Sequence, residues 1–510
     1  MKYFLGIDNG GTMVKAALFD ARGREIAASG IKCSPVAAKP GYAERDAEEL
    51  WLANCQVCKN TIEKSGIDPK NIACVTVTGH GKGLYLCGHD GRPSYPGIVS
   101  TDTRAWEYRE RWIANGTEAK AFQITKQHIL TCQPVCLLAW MRDCEPEVME
   151  NTGYVFECKD YIRFRLTGRA MAEISEESSS NLINLDSGNY DRDLLALFGI
   201  EQYMDKLPPL CGPAEIAGHV TAEASLLSGI PEGTPVAGGT MDIIACALAV
   251  GVLSEEYICM VAGTWSINEY ISRKTVLDGS IMLNSYFCQP GQYVIEESSP
   301  TSAVNNEWFV QNLLPELRAE ALTQGKSVYD IMNTMVESLD PREFCPVFLP
   351  FIAASNVHPN ACGSFVGISS YHTRAHLVKS IYEGIVFSHR YHMEKLMKVR
   401  DSRPRAIRLA GGPARSKVWV QMFADITQLP IERVTAQETG TLGCAMLGAV
   451  ATGEYGSLEE AADNMCKLVE PVLPDPELKD AYNKKYAMYL KTIGCLDGLW
   501  NDIQSYKDSL

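Results

Sequence analysis

Residues Tyr3-Phe4-Leu5-Gly6-Ile7-Asp8-Asn9-Gly10-Gly11-Thr12, followed by an apolar run from Val14 to Phe19, decide the fold. Tyr3 to Ile7 reads as a strand, Asp8 to Thr12 as a turn and Val14 to Phe19 as a second strand. Asp20 to Gly23 then turns the chain into a third strand, Glu25 to Ile31. Three strands joined by short turns form an antiparallel meander. The same opening returns later, with strand Tyr257 to Ala262, turn Gly263-Thr264 and strand Ser266 to Ile271. A chain that starts twice in this way is two α/β domains, divided between Leu248 and Glu255, with expected extents 1–249 and 250–510.

Other elements follow from period and caps. In the first half, helical pattern covers Ala47 to Lys64, strand Ile72 to Thr78 follows, a hairpin turns at Asp90-Gly91 and a helix starts near Asp102. In the second half, an amphipathic helix runs from Arg374 to Val399 behind Thr373 as N-cap, with Leu377, Ile381 and Ile385 on one face. Strand Ala406 to Ala410 enters Gly411-Gly412, and a helix opens near Ser416. A last helix, Glu438 to Ala451, carries Gly440, Gly443, Ala445 and Gly448, where small residues allow close backbone approach at about 1 kcal/mol per glycine.

At 510 residues the chain can bury a sizeable core in each half, and 46% hydrophobic with 21% charged residues is ordinary globular composition. The net charge of −15 argues against nucleic-acid or anionic-membrane partners. The amino terminus lacks the charge and apolar length of a signal peptide, and the longest apolar run, Ile243 to Leu253, cannot span a bilayer. A cytoplasmic protein is expected, its 18 cysteines free thiols and Cys55-Gln56-Val57-Cys58 a packing pair. His389 and His392, at i and i+3, read as a structural pair.

Five segments carry chemistry. Asp8, Gly10, Gly11, Thr12 and Lys15 form a glycine turn whose N–H groups and hydroxyl suit phosphate, and Asp8 suits Mg²⁺; the plainer reading is a tight hairpin. Gly238-Gly239-Thr240-Met241-Asp242 joins a strand, Pro235 to Ala237, to a helix, Ile243 to Val250, and Asp242 there is a helix cap or a general base; read alone, the cap is the simpler choice. Gly263-Thr264 sits where Gly11-Thr12 sits in the first meander. Gly411, Gly412 and Ser416 lie in a strand-to-helix loop suited to a nucleotide. The loops Gly79-His80-Gly81-Lys82-Gly83 and Ser100 to Arg104 offer His80 and Asp102 to a polyol, against plainer readings as a loop histidine and a cap.

The arrangement resembles the FGGY family of carbohydrate kinases, actin-like ATPases with duplicated RNase H-like domains and a central cleft. Gly363-Ser364-Phe365-Val366-Gly367-Ile368, then His376-Leu377, then Ser380-Ile381-Tyr382-Glu383 fits the family's carboxyl-terminal signature. Lys159-Asp160-Tyr161 and Leu166-Thr167-Gly168 are also similar to the family. One departure is Leu137, where the amino-terminal signature has a lysine.

The resemblance implies phosphorylation of a sugar hydroxyl by ATP with Mg²⁺. It implies Asp242 as catalytic base and substrate contact. It also implies phosphate and Mg²⁺ contacts at Asp8, Thr12 and Thr264, adenosine contacts at Gly411, Gly412 and Ser416, and sugar contacts at His80 and Asp102. Family members are often dimers, so a homodimer is the expected assembly. Ile243-Ile244 after the base and Gly41 to Asp46 are similar to the L-xylulose and 3-keto-L-gulonate kinase subgroup. A ketopentose of L-xylulose type is the favoured substrate, with D-xylulose, erythritol, glycerol or 3-keto-L-gulonate as alternatives. Outside enzymes of this kind stand a sugar-sensing regulator and a chaperone-like ATPase. A kinase releases ADP only with its sugar, a sensor never does, and such an ATPase does so without sugar.

Overall fold

The computed structural model describes residues 1–37 and 39–509 and divides into two units. The first holds Met1–Ser254, Ile271–Ile295 and Val434–Leu468; the second holds Glu255–Tyr270, Glu296–Arg433 and Val469–Leu510.

The first unit opens on the expected meander: β1 (Tyr3–Asn9), β2 (Met13–Asp20) and β3 (Glu25–Lys32). Helix α1 (Ala47–Ser65) is capped by Asp46, whose carboxylate accepts from the Glu49 amide, and it ends at Gly66 in the left-handed region, at φ 66°. Its apolar stripe, Leu50, Trp51, Val57, Cys58 and Ile62, packs into a core with Leu5, Ile7, Val14 and Val75. Strand β4 (Ile72–Gly79) is parallel to β1, with Asp8 opposite Thr78 and Asn9 opposite Gly79. Helix α2 (Cys158–Thr167), β5 (Ile216–His219), β6 (Pro235–Met241) and α3 (Asp242–Ala249) complete the sequence, and the sheet order is β5-β6-β4-β1-β2-β3. A second core in this unit gathers Leu84, Trp112, Leu137, Leu138, Trp140 and Phe198. Leu137, the departure from the kinase signature, is one of its fully buried members in the helix Pro134–Cys144.

The second unit repeats the arrangement. β7 (Tyr257–Ala262) pairs antiparallel with β8 (Ser266–Ser272). The long helix α4 (Arg374–Lys398) starts at Thr373, which forms a capping box with His376. β9 (Ala406–Gly411) is parallel to β7, α5 (Lys417–Thr427) follows, and β10 (Ile431–Glu432) pairs with β9. The order β9-β7-β8 here matches β4-β1-β2 in the first unit, so the repeat legible in the sequence is a repeat of sheet topology.

The small-residue helix α6 (Thr439–Ala451) belongs to the first unit and lies on its sheet. A Cβ on Gly6 would stand 2.2 Å from the Thr441 carbonyl oxygen, and one on Gly443 would stand 2.0 Å from that of Ala245. Both glycines are therefore contact points between backbones, and at Gly443 this close approach is why a residue of low helix propensity is tolerated inside α6.

Two expectations change. The strand before Asp242 runs on to Met241 instead of stopping at Ala237, because Gly238-Gly239 forms a bulge in the pairing with β4 and not a turn. Gly239 has φ 82°, and a Cβ there would fall 2.0 Å from the Val77 carbonyl oxygen. The helix expected near Asp102 begins at Trp106. No disulfide joins the described cysteines, and burial pushes the Cys55 thiol up to about 12. No helix among the described residues is long and apolar enough to cross a membrane.

Candidate active site

In the first unit the chemistry gathers at the carboxyl ends of β1, β4 and β6. Asn9, Gly79 and Met241 are in register across the three strands, so Asp8, the loop from His80 and Asp242 emerge side by side. The Thr78 hydroxyl donates to the Thr240 carbonyl (2.6 Å), and the His80 amide donates to the Asn9 carbonyl (2.9 Å). These bonds lock the three strand ends together.

Asp242 is half-buried at the first helical position of α3, and its carboxylate accepts from the Ile243 amide at 2.8 Å. The cap position belongs to Met241. The carboxylate thus sits at the amino-terminal end of α3, where the helix dipole is positive. A Cβ on Gly81 would stand 2.0 Å from Met241 Sδ, so the His80 loop lies directly against the residue before Asp242.

Asp8 stands at the end of β1. Its Oδ1 is buried without a hydrogen-bonding partner among the described residues, and a Cβ on Gly440 would come within 2.7 Å of Oδ2. Burial raises the Asp8 pKa to about 6, opposed by Lys15 and assisted by Glu438. Lys15 is itself paired with Glu438 at 2.7 Å.

Gly10, Gly11 and Thr12 form the β1–β2 turn, and Thr12 is exposed. Buried Arg45 donates from one guanidinium nitrogen to the carbonyls of Gly10 (3.1 Å) and Gly11 (2.5 Å). The sequence offered no role for Arg45; the contact joins residues 35 positions apart.

His80 is buried, with Nε2 3.0 Å from the Tyr85 hydroxyl. Burial, with Arg45 nearby, lowers its pKa to about 3, so the ring is neutral across the ordinary pH range. Its neighbour Lys82 is also buried and takes φ 66°, a conformation uncommon outside glycine. Asp102 is 1% exposed and accepts from the amides of Ala43 (2.7 Å) and Arg104 (2.9 Å) and from the Arg104 guanidinium (2.8 Å). Arg104 also pairs with Glu44 at 2.8 Å. Both Asp102 oxygens thus tie two loops of the unit together.

Beneath these loops lies a buried ionic cluster that sequence reading missed. Lys159 on α2 contacts Asp160 (2.9 Å), Glu176 (2.7 Å) and Glu173 (3.5 Å), and Arg163 contacts Asp160 (2.7 Å). The Ser175 hydroxyl links this cluster to Thr240, two residues before Asp242, at 2.7 Å.

The second unit brings its candidates together in the same way. Gly263 and Thr264 lie in the β7–β8 turn, and Ala262 is in register with Gly411. Gly411 has φ 92°, and a Cβ there would meet the Ala262 carbonyl oxygen at 2.4 Å. Gly412 opens a short 3₁₀ turn ending at Arg415. Ser416 caps α5, accepting from the Trp419 amide (3.3 Å) and donating to Asn333 Oδ1 (3.0 Å).

Models of the FGGY family of carbohydrate kinases match residues 3–249 (N-terminal domain) and 258–452 (C-terminal domain). The chain is 37% identical over 507 residues to the L-xylulose/3-keto-L-gulonate kinase of Escherichia coli K12, covering 99% of each. It is 36% identical to the probable L-xylulose kinase of Pasteurella multocida, covering 96% of this chain and 98% of the relative. Among solved structures, a ligand-bound xylulose kinase from Lactobacillus acidophilus superposes with a TM-score of 0.86 at 22% identity, over 99% of this chain and 100% of that one.

Proposed function

We propose, for a chain that belongs to the FGGY family of carbohydrate kinases, that it moves the γ-phosphoryl of ATP to a hydroxyl of a ketopentose of L-xylulose type. The class, an ATP-dependent carbohydrate kinase of actin-like fold, follows from family membership. The substrate rests on full-length likeness to relatives named for L-xylulose. The cytoplasm is the proposed setting and a homodimer the proposed assembly.

One observation carries the assignment of roles: Asp242 leaves the end of β6 beside the Asp8 strand end and the His80 loop. Asp242 takes the proton from the attacking hydroxyl, which must lie within hydrogen-bond reach of it. His80 and its loop hold the sugar, and Asp102 keeps that region in shape through Arg104 and Ala43. Gly10, Gly11, Thr12, Lys15, Gly263 and Thr264 receive the phosphates, while Gly411, Gly412 and Ser416 receive adenosine. Phosphoryl transfer asks for positioning and charge stabilisation above all.

Asp8 fits a magnesium ion, since it offers a hard carboxylate oxygen that no donor among the described residues satisfies. Bound there, the ion would neutralise phosphate charge.

ADP release measured against a panel of ketopentoses, polyols and ketohexonates tests the reading. Release with L-xylulose alone or best is expected. Release without any sugar, or with none of them, overturns it. Thr12→Val and Thr264→Val each keep side-chain shape and remove a hydroxyl. Each is expected to lower kcat/KM for ATP by the roughly 1.5–3 kcal/mol of a charge-assisted hydrogen bond, roughly ten- to a hundredfold. If steady-state kinetics find only one of the two impaired, the unaffected turn does not bind phosphate.

A further inference from the structure

The β7–β8 turn is gripped from below. The Ser302 amide donates to the Thr264 carbonyl and the Ala303 amide to the Gly263 carbonyl, both at 3.0 Å. The Ser302 hydroxyl is 3.1 Å from His389 Nε2, and His389 Nδ1 is 2.9 Å from Asn268 Oδ1. Asn268 Nδ2 donates to the Glu297 carbonyl at 3.1 Å. Ser302, His389 and Asn268 are all at most 1% exposed, and all belong to the second unit.

The chain of bonds has a fixed direction. Asn268 spends its amide N–H on a carbonyl, so its oxygen faces His389 and must accept. His389 Nδ1 therefore carries the ring proton, and Nε2 is left as an acceptor. The Ser302 hydroxyl must then donate to Nε2. Burial, with His392 nearby, lowers the His389 pKa to about 3, which keeps this single arrangement intact across the ordinary pH range. Phe423 packs edge-on against the ring, with centroids 5.3 Å apart, and holds its plane.

We propose that His389 is a positioning residue for the nucleotide: through Ser302 it holds the backbone donors of residues 302–303 on the Gly263–Thr264 turn and so fixes the turn that receives the phosphates. The inference rests on the reading of Gly263 and Thr264 as phosphate contacts. It gives a helix turn far from both glycine loops in sequence a part in ATP binding. A histidine at this place supplies two hydrogen bonds of opposite sense about 2 Å apart within one rigid ring, which no aliphatic side chain can do.

Two substitutions separate positioning from mere packing. His389→Asn keeps a group near Nδ1 and loses the bond to Ser302. His389→Gln reaches the Nε2 position with an acceptor oxygen. The full-length enzyme is assayed for KM of ATP and of sugar, for ADP affinity by calorimetry, and for melting temperature without ligands. His389→Asn and Ser302→Ala are expected to raise KM for ATP and weaken ADP by about tenfold, the worth of one buried hydrogen bond, with the sugar KM within about twofold. His389→Gln is expected to recover most of the ATP affinity while melting as low as His389→Asn. Equal ATP affinity in the Asn and Gln variants overturns the proposal, as does a parallel loss for ATP and sugar that tracks melting temperature. Should His389→Asn not fold, Ser302→Ala carries the same test, and an unchanged ATP KM there overturns the proposal. A wild-type enzyme that binds ADP, with Thr264→Val binding it equally well, removes the underlying reading of the turn instead.

Discussion

Asp242→Asn is expected to lower kcat by about 10²–10⁴-fold while leaving KM for both substrates nearly unchanged. The amide is isosteric with the carboxylate, and its oxygen still accepts from the Ile243 amide that anchors Asp242 Oδ1. The start of α3 is therefore preserved, and so is the bulged strand that delivers it. What is lost is a group able to take a proton. The cap of α3 is Met241, so the loss is not that of a helix cap, whose removal would show in melting temperature rather than in turnover. Single-turnover kinetics with saturating ATP and sugar, alongside a melting curve, make the distinction. A variant that retains more than about a tenth of wild-type kcat would place the base elsewhere.

The parts of this site that could be read from sequence are those made by neighbours in the chain. The meanders were legible because each strand is a short apolar run closed by glycines, and those turns are local chemistry. Ser416 and Thr373 announce their helices for the same reason. The bulge at Gly238-Gly239 was not legible: a glycine pair suits a turn as well as a bulge, and the Val77 carbonyl that forces the choice lies about 160 positions away. The late start of the helix at Trp106 has a similar cause, since Asp102 is claimed by the Ala43 amide, 59 positions distant, and by Arg104. Arg45 reads as an ordinary charged residue before a helix until the fold lays it against Gly10 and Gly11. The same holds for Glu438 and Gly440, which close on Lys15 and Asp8 from more than 400 positions away. A buried charge is invisible to composition, because Lys and Glu are most often surface residues.

Lys159→Met is expected to be the most destabilising of these changes. Lys159 is fully buried, and its ammonium is the shared partner of Asp160, Glu176 and Glu173. Glu157, also buried, has no hydrogen-bonding partner for either oxygen among the described residues. Removing the ammonium leaves Arg163 as the remaining cation in contact with Asp160, and breaking one side of a buried ion pair costs about 3–5 kcal/mol. The loss should depend on pH in a defined direction. Burial raises Glu176 and Glu177 from the usual 4.5 to about 8, with Lys159 opposing the rise in both. Between these values the folded state holds protons that the unfolded chain has released. Their contribution to stability is therefore complete below pH 4.5 and is lost as pH rises through about 8. Without Lys159 the carboxyls hold their protons still more tightly, so wild type and variant lose stability at the same rate up to about pH 7, and above about 8 the variant goes on losing it after the wild type has stopped. The gap in stability between Lys159→Met and wild type should accordingly be constant below about pH 7 and widen from about pH 8 upward. Adding Glu176→Gln to the variant removes one uncompensated carboxylate and should restore part of the loss, most visibly at high pH. Urea unfolding of wild type and both variants at pH 6, 7.5 and 9 measures this. A gap that is constant across the three values would mean that Lys159 serves as packing volume and that its charge is not what holds the carboxylates under the His80 loop.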